Sequence, residues 1–494
     1  MCEILPVSSK PTLNVFKFGG SCFKDEMAFI QSLRIVNHYQ NNALIIICSA
    51  LQGITDKLIE LGSTISQQGT FENNAQKLYN EIKTKHLQFI NSLFEQNQEI
   101  QKSLISYLDQ TLEKITQFVP SLTQQGMTPK NSDWLISFGE RISTYLYSQY
   151  LKMKGFETQF LSTDDNLIIT NDDFGNSLPI LDQCEINISN KLSSLLQDKK
   201  IVVLPGFYGS TKSGEITTLG RGGSDFSATI IAYALVKDFD VHVIFWKDVY
   251  GILSTNPKIV PNAKLLAHIS YAEAKELAYF GSKILHPKCL KMTEQRDIPT
   301  EIRCFTDPFS EKFTLITKQC IIPHQSNEII KGIASMESIA MVTVQSDAMI
   351  SLPGSAANVF NLMGQNNINI IFISQSSSEN NITFGTNPEN GFKAGQVLSQ
   401  NAFFGKNWFK IIVDHDAALI SVVGAGMVKK PGIAGLLFTT LGNANINIRA
   451  IAQGSSETNI TLVLSKDDVK RAIQTIYNAF INGNLPKIPE IQKW

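Results

Sequence analysis

The sequence predicts an α/β protein: a parallel-rich sheet sandwiched by helices, followed by two small βαββ units. Three observations carry this. Strand-length apolar runs alternate with segments of helical period along the first part of the chain. From about Thr317 to Ile330 that period is lost, as in a linker. Beyond it lies a tandem repeat at a constant offset of 78 residues. A length of 494 residues agrees with about three domains at roughly 150 residues each.

Val15 to Phe18 is a short apolar run that ends at Gly19-Gly20 and is followed by a helical pattern to about Tyr39. Ala43 to Cys48 reads as a second buried strand. Residues 71–117 are rich in Gln, Asn and Lys with a helical period, and read as a helical excursion on the sheet's edge. Asp133 to Lys154 reads as one helix with Asp133 as its N-cap. Ile201 to Leu204 is a strand entering a Gly-rich loop, and Val241 to Trp246 is the next strand. Strands separated by helices imply a parallel sheet covered on both faces. In the repeat, the stretches starting at Pro353 and Pro431 are identical at 17 of 32 positions without a gap. Each reads as a strand, a Pro-Gly turn, a helix and two strands, a ferredoxin-like βαββ unit. The repeated Gln-x-Ser-Ser-Glu segments are polar, which favours a ligand-binding role over packing alone.

Charge and composition exclude several classes. Lys and Arg total 43 against 44 Asp and Glu, a net charge of −1. That balance argues against nucleic acid or a membrane surface as partner, since both need a basic face. No apolar run approaches the roughly 20 residues that span a bilayer. The N-terminal MCEILPVSSK lacks a basic region followed by an apolar stretch, so no secretory signal is expected. Cys2, Cys22, Cys48, Cys184, Cys289, Cys304 and Cys320 form no CxxC pair. Reduced thiols in a cytoplasmic protein are the expectation.

Two loops carry the chemistry. Lys17-Phe18-Gly19-Gly20-Ser21 follows a strand and precedes a helix. Glycines let the backbone approach a phosphate, helix amides face it, and a lysine adds a point charge. The lysine precedes the glycines, so this is not a GxxxxGK[ST] loop, and taken alone a structural turn explains it equally well. Leu219-Gly220-Arg221-Gly222-Gly223-Ser224-Asp225 precedes a helix from Phe226 to Val236. Arg can clamp a carboxylate with two hydrogen bonds, and Asp can orient lysines or act through magnesium. A helix-capping role would account for Asp225 but not for an arginine among glycines. His286 before Pro287 reads as a packing and hydrogen-bonding residue. Cys22 lies beside the first loop, and nothing in the sequence requires it to react.

Together these motifs resemble the aspartokinases. KFGGS, then Ser49-Ala50 with Gly53-Ile54-Thr55, Phe138-Gly139-Glu140, LGRGGSD, and the FGSKILHP segment from Phe280 to Pro287 occur in that family's order and spacing. The resemblance covers nearly the whole chain, because aspartokinases also carry two C-terminal ACT units. It implies an amino-acid-kinase fold over 10–315, a linker over 316–332, and ACT units over 333–415 and 416–485. The QSSSE and QGSSE segments resemble the regulatory region of threonine-sensitive enzymes fused to homoserine dehydrogenase. The sequence runs to Trp494, so the expectation is the kinase and ACT portion without a dehydrogenase.

The resemblance implies transfer of the ATP γ-phosphoryl group, with Mg2+, to the β-carboxylate of L-aspartate, the first step toward lysine, threonine and methionine. Lys17, Asp225 and Lys283 would be catalytic. Ser49, Thr55, Glu140, Arg221, Gly222, Gly223 and Ser224 would bind aspartate. Lys17, Gly19, Gly20, Ser21, Lys247, Asp248, Leu253, Lys258, Ser282 and Lys283 would meet ATP, and no protein side chain would ligate the metal directly. The family commonly has Thr, Tyr, Asp and Arg where this chain has Lys247, Leu253, Asn256 and Lys258, which leaves the adenine and ribose contacts open. Asn369, Gln375, Asn447 and Gln453 would bind an amino-acid effector, threonine being favoured. A homodimer or larger homo-oligomer through the ACT units is also implied. The alternatives are another amino-acid carboxylate kinase, such as a glutamate kinase, or a catalytically silent amino-acid sensor.

Overall fold

A computed structural model describes residues 10–162, 166–280, 284–318 and 328–484. The chain divides into two compact units, 10–252 with 284–318, and 253–280 with 328–484.

In the first unit, β1 (Thr12–Phe18), α1 (Glu26–Tyr39) and β2 (Ala43–Cys48) open the sheet. Then come α2 (Ile54–Gln68), α3 (Asn74–Leu93), α4 (Gln98–Gln125), α5 (Pro129–Ile136) and α6 (Phe138–Met153). After β3 (Thr158–Phe160) and α7 (Leu181–Gln197) follow β4 (Ile201–Pro205), the hairpin β5 (Tyr208–Ser210) and β6 (Ile216–Thr218), α8 (Gly223–Leu235) and β7 (Asp240–Lys247). The second unit takes β8 (His268–Ser270) and α9 (Tyr271–Phe280). The first resumes with α10 (Pro287–Gln295), β9 (Thr300–Cys304) and β10 (Phe313–Thr317).

Strands of the first unit are ordered β3-β4-β2-β1-β7-β9-β10. The pairs from β3 to β9 are parallel and β9/β10 is antiparallel. β1 and β2 are buried along almost their whole length, which is why they read as continuous apolar runs rather than alternating ones.

Two local expectations need correction. The segment read as an excursion on the sheet's edge is α3 and α4, which pack on α2 and each other, with α6 against α4. Their apolar stripes, including Ile82, Phe89, Leu108 and Ile115, join the main core, so they form a second helical layer. Asp133 does not cap a helix. Thr128 caps α5, with Pro129 at its first position, and the chain breaks at Ser137 before α6 begins. Asp133 is buried inside α5 and accepts hydrogen bonds from Gly175 N, Thr218 N and the Thr218 hydroxyl. It thereby fixes the end of β6, where the LGRGGSD loop starts.

The second unit contains β11 (Gly332–Gln345), α11 (Ser355–Gln365), β12 (Phe372–Gln375), β13 (Asn381–Thr386) and α12 (Pro388–Gln400). The pattern repeats as β14 (Lys410–Val423), α13 (Ile433–Asn443), β15 (Ala450–Ala452), β16 (Asn459–Leu464) and α14 (Val469–Ile476). Their sheet runs β12-β13-β11-β14-β16-β15. The backbone keeps the sequence repeat: Ser351 and Lys429, Asn367 and Asn445, and Glu379 and Glu457 all adopt positive φ at the same 78-residue offset.

The repeats are interwoven. β11 and β14 pair antiparallel along nearly their full lengths. Ile333 of β11 serves the core of the second repeat, and Ile411 and Val413 of β14 pack on that of the first. A division at 415/416 therefore falls inside β14. Residues 253–280, which the 10–315 expectation gave to the kinase, pack within this unit.

Replacing Asp133 by Ala strands the Thr218 N–H and hydroxyl in the interior and releases the Gly175 N–H at the surface. We expect a stability loss of about 3 kcal/mol, read as a lowered urea midpoint with unchanged m-value. A wild-type midpoint would refute the role of Asp133 as the anchor of β6.

Candidate active site

The functional residues of the first unit gather at the carboxyl ends of its parallel strands, where open α/β sheets place their ligand crevices. Adjacent strands β1 and β7 bring Lys17 and Lys247 to this end. The first turn of α8 delivers Asp225 between them. Lys17 Nζ lies 2.8 Å from Asp225 Oδ1, and Lys247 Nζ donates to Asp225 Oδ2 at 2.8 Å. Burial opposes the charge on Lys17, yet Asp225 outweighs it and holds the ammonium above its ordinary pKa. Burial likewise opposes the Asp225 anion, and the two lysines together keep its carboxyl below the usual range. Two lysines on one carboxylate leave one formal unit of positive charge over. Such a cluster is suited to a phosphoryl group or another anion.

A cavity of about 300 Å³ opens beside it. Of the residues expected at the site, Lys17, Gly20, Ser49, Thr55, Glu140, Gly222, Gly223, Ser224 and Asp225 line it. Gly139 explains how Glu140 reaches this place. A Cβ at Gly139 would come within 2.8 Å of the Ala50 Cβ, so glycine lets α6 close on the exit of β2. Glu140 Oε1 then accepts the Ala50 N–H at 3.2 Å, while Oε2 is buried with no hydrogen-bond partner. Burial drives the Glu140 carboxyl up to about 8, against the opposing pull of the Ala50 N–H and Lys17. A buried acceptor without a donor is costly and calls for a cation or N–H from a ligand. Gly222 adopts φ +74 where the chain turns into α8, with His286 close by.

Other expected residues lie apart. Arg221 is exposed and does not line the cavity. Gly19 is buried beside Lys17, where a Cβ would stand 3.3 Å from the ammonium, and Ser21 is half-buried in the turn that follows. Asp248 is exposed just beyond β7. Leu253 and Lys258 belong to the second unit, Leu253 half-buried and Lys258 exposed. Ser282 and Lys283 lie outside the described residues. His286 caps α10, its Nδ1 accepting the Lys288 N–H at 3.2 Å. Burial pushes the Cys22 thiol up to about 12, so it is no nucleophile. Asn369, Gln375, Asn447 and Gln453 are exposed, at or beside the edge strands β12 and β15.

Sequence reasoning missed Phe207, which lines the cavity with φ +77. A bulky residue held there signals local constraint, and its N–H is fastened to the Ser227 hydroxyl at 3.0 Å. Its place after Pro205-Gly206 hinted at a turn, but nothing local announces the strained angle. Gln52, Gly53 and Asp56 also line the cavity. A larger open groove of about 880 Å³, lined by Lys24, Lys57, Lys77 and Lys85 among others, contains none of the expected residues. Being open and polar, it lacks the enclosure that usually holds a small substrate.

Among the described residues no helix is long and apolar enough to cross a membrane. Residues 12–304 match the amino acid kinase family, and 342–402 and 420–480 each match an ACT domain. The chain is 31% identical over 479 residues to the bifunctional aspartokinase/homoserine dehydrogenase 2, chloroplastic, of Zea mays, covering 94% of this chain and 50% of that protein. It thus spans about half the length of such bifunctional relatives. It is 30% identical over 381 residues to aspartokinase 2 of Bacillus subtilis, covering 76% of this chain and 88% of that one. The structure of E. coli aspartokinase III in complex with aspartate and ADP matches with a TM-score of 0.78 at 27% identity, covering 95% of this chain and 99% of that one. The same enzyme in complex with lysine and aspartate matches at 0.74 and 26%, covering 96% and 100%. The chain belongs to the amino acid kinase family and, within it, to the aspartokinases, with two ACT repeats following the kinase region.

Proposed function

We propose that this chain transfers the γ-phosphoryl group of MgATP to the β-carboxylate of L-aspartate, giving 4-phospho-L-aspartate and ADP. The observation that carries this is one cavity lined both by the buried Lys17–Asp225 pair, with Lys247 on the other Asp225 oxygen, and by a buried carboxylate oxygen with no partner. The first suits phosphate charge and the second suits a substrate ammonium. A substrate carboxylate oxygen attacks the γ-phosphorus, the bond to the β-phosphate oxygen breaks, and ADP leaves with that electron pair. The nucleophile is already an anion, so no general base is required. Catalysis is alignment and charge neutralisation. A silent sensor would have no use for so costly a buried cluster.

Lys17 and Lys247 would neutralise the phosphoryl oxygens with the Gly19 and Gly20 amides, and Asp225 would hold both lysines. Glu140 would take the aspartate ammonium and Arg221 its carboxylate. Ser49, Thr55, Gly222, Gly223 and Ser224 would complete that end. Ser21, Asp248, Leu253, Lys258, Ser282 and Lys283 would serve the nucleotide, with Mg2+ arriving on ATP.

For regulation, threonine acting at Asn369, Gln375, Asn447 and Gln453 is the reading we favour, although E. coli aspartokinase III was crystallised with lysine. Glu379 and Glu457 could otherwise receive a lysine ammonium. Each instead accepts a turn N–H, from Ser351 and Lys429 respectively, which lowers their availability. A homodimer or larger homo-oligomer through the ACT repeats, in the cytoplasm, completes the proposal. The five described cysteines, all free, are compatible with that compartment.

Hydroxamate trapping with ATP should detect acyl phosphate from L-aspartate and not from L-glutamate. In that assay Lys17→Ala should lower kcat by more than about a hundredfold while changing the aspartate KM by less than about threefold, because the missing charge matters most in the transition state. Near-wild-type kcat would remove Lys17 from the mechanism.

Glu140 generates a pH prediction. Its carboxyl is raised to about 8, so the protonated form, which cannot pair with an ammonium, dominates below that pH. The aspartate KM should therefore fall as pH rises toward about 8, by up to about tenfold per unit. Glu140→Gln should raise the KM and flatten this profile. An unchanged profile in that variant would exclude Glu140 as the titrating group.

Threonine should bind wild-type protein in calorimetry and inhibit it, through tighter binding to an inactive arrangement. Gln375→Ala or Gln453→Ala should weaken both effects and largely keep uninhibited activity. Inhibition by lysine alone would overturn threonine as effector and leave the kinase reading intact.

A further inference from the structure

Phe207 lines the active-site cavity in a backbone conformation that its own side chain disfavours. Its φ is +77, in the left-handed region that suits glycine and strains a bulky residue. Glycines stand close by at Gly206 and Gly209, yet the position whose angle suits glycine carries an aromatic ring. Strain of this kind persists only where the surroundings over-determine it, and it clusters at ligand sites. The cavity and residues 206–227 all lie within the first unit.

The turn around Phe207 is held from both sides. The Phe207 N–H donates to the Ser227 hydroxyl at 3.0 Å, and that hydroxyl donates in turn to the Gly223 carbonyl at 3.0 Å. The Phe207 carbonyl accepts the Leu219 N–H at 2.9 Å, and the Gly206 N–H donates to the Cys48 carbonyl at 2.9 Å. Ser227 is fully buried in α8. Its one hydroxyl therefore ties Phe207 to Gly223, and both of these line the cavity. The approach is close. A Cβ at Gly223 would stand 2.8 Å from the Phe207 ring, and a Cβ at Gly206 would stand 2.8 Å from the Ser224 Cβ. The ring thus packs on the backbone of the first turn of α8, the turn that carries Ser224 and Asp225.

We infer that Phe207 sets which amino acid the cavity accepts and that Ser227 is its positioning residue. The Ser227 hydroxyl holds the Phe207 backbone at its strained angle, and the ring so held is a wall that fits aspartate and excludes the longer glutamate. This rests on reading the cavity as the aspartate site. Without the hydroxyl, the Phe207 N–H loses its partner, the backbone relaxes toward an ordinary angle, and the ring leaves the wall. One added methylene is discriminated only about 10–200-fold by the fit of a pocket, so the wall has to be held in place to achieve it. A purely structural serine would affect folding and both substrates alike, whereas a positioning hydroxyl affects the amino acid and acts through Phe207.

The test uses the full chain with Ser227→Ala, Phe207→Gly and the double variant, each with a melting profile, KM values for aspartate and MgATP, and hydroxamate formation from L-aspartate and L-glutamate. Ser227→Ala should raise the aspartate KM about fivefold and bring acyl phosphate from glutamate into detection, with the MgATP KM kept. Phe207→Gly should do the same to a larger degree. Glycine holds a positive φ without strain, so Ser227→Ala should add little in the double variant. A wild-type aspartate KM and no glutamate product in Ser227→Ala, whatever its melting temperature, would overturn the inference and leave the aspartate reading of the cavity standing. So would the absence of glutamate product in Phe207→Gly. Equal rises in both KM values with a lowered melting temperature in Ser227→Ala would reduce Ser227 to a structural role. Failure of the wild-type chain to phosphorylate aspartate would overturn the reading of the cavity, and the inference with it.

Discussion

Lys17 and Lys247, side by side at the ends of neighbouring parallel strands, bring two like charges together, and Lys17 is buried. Asp225 removes that conflict by giving one oxygen to each. Removing one partner of such a buried pair typically costs about 3–5 kcal/mol. Much of the surrounding architecture can be read as meeting this constraint. α8 is buried along almost its whole length, so its first turn cannot drift from the strands. Gly222, at positive φ, lets the chain enter that turn, and Asp133 anchors β6 just before it. The charge left over is then available to a ligand without any rearrangement of protein groups.

Glu140 shows the opposite balance. Its helix could have been set back so that the carboxylate met water, but Gly139 lets it close on Ala50. The single N–H contributed by Ala50 falls short of what solvent would supply, and the carboxyl is driven upward. The cavity therefore pairs a cluster whose charges are mutually satisfied with an acceptor awaiting a donor. That contrast gives the two ends of the cavity different chemical preferences, one for anions and one for a cation.

The legible parts of the sequence are those where the pattern is local. Continuous apolar runs marked β1 and β2, because strands covered on both faces have no polar side. The 78-residue offset marked both repeats, and it persists down to individual positive-φ residues. Lys17 and Asp225 were legible because each sits in a Gly-rich loop next to a strand or helix end, whereas Glu140 was singled out only through the resemblance to the aspartokinases. Asp133 was misread because an acidic residue at the start of an apolar period looks like a cap, whereas its partners, Gly175 and Thr218, are distant in sequence. Phe207 carried no signal, since backbone strain has no compositional mark. Ile259 and Val260 form too short an apolar pair to show a period, so their membership in the second repeat's core was invisible.

That last omission concerns how the two repeats differ despite their likeness. At the same 78-residue offset, Tyr477 corresponds to Ser399 in the first repeat. Ser399 spends its hydroxyl on the Gly395 carbonyl of its own helix, at 2.8 Å. Tyr477 instead reaches out of its helix to bind a loop more than two hundred residues earlier in the chain. A helix whose tyrosine closes a loop cannot move without opening that loop or carrying it along. Two units of one fold thus use equivalent positions differently, one to close its own helix and the other to fasten a loop that completes its core.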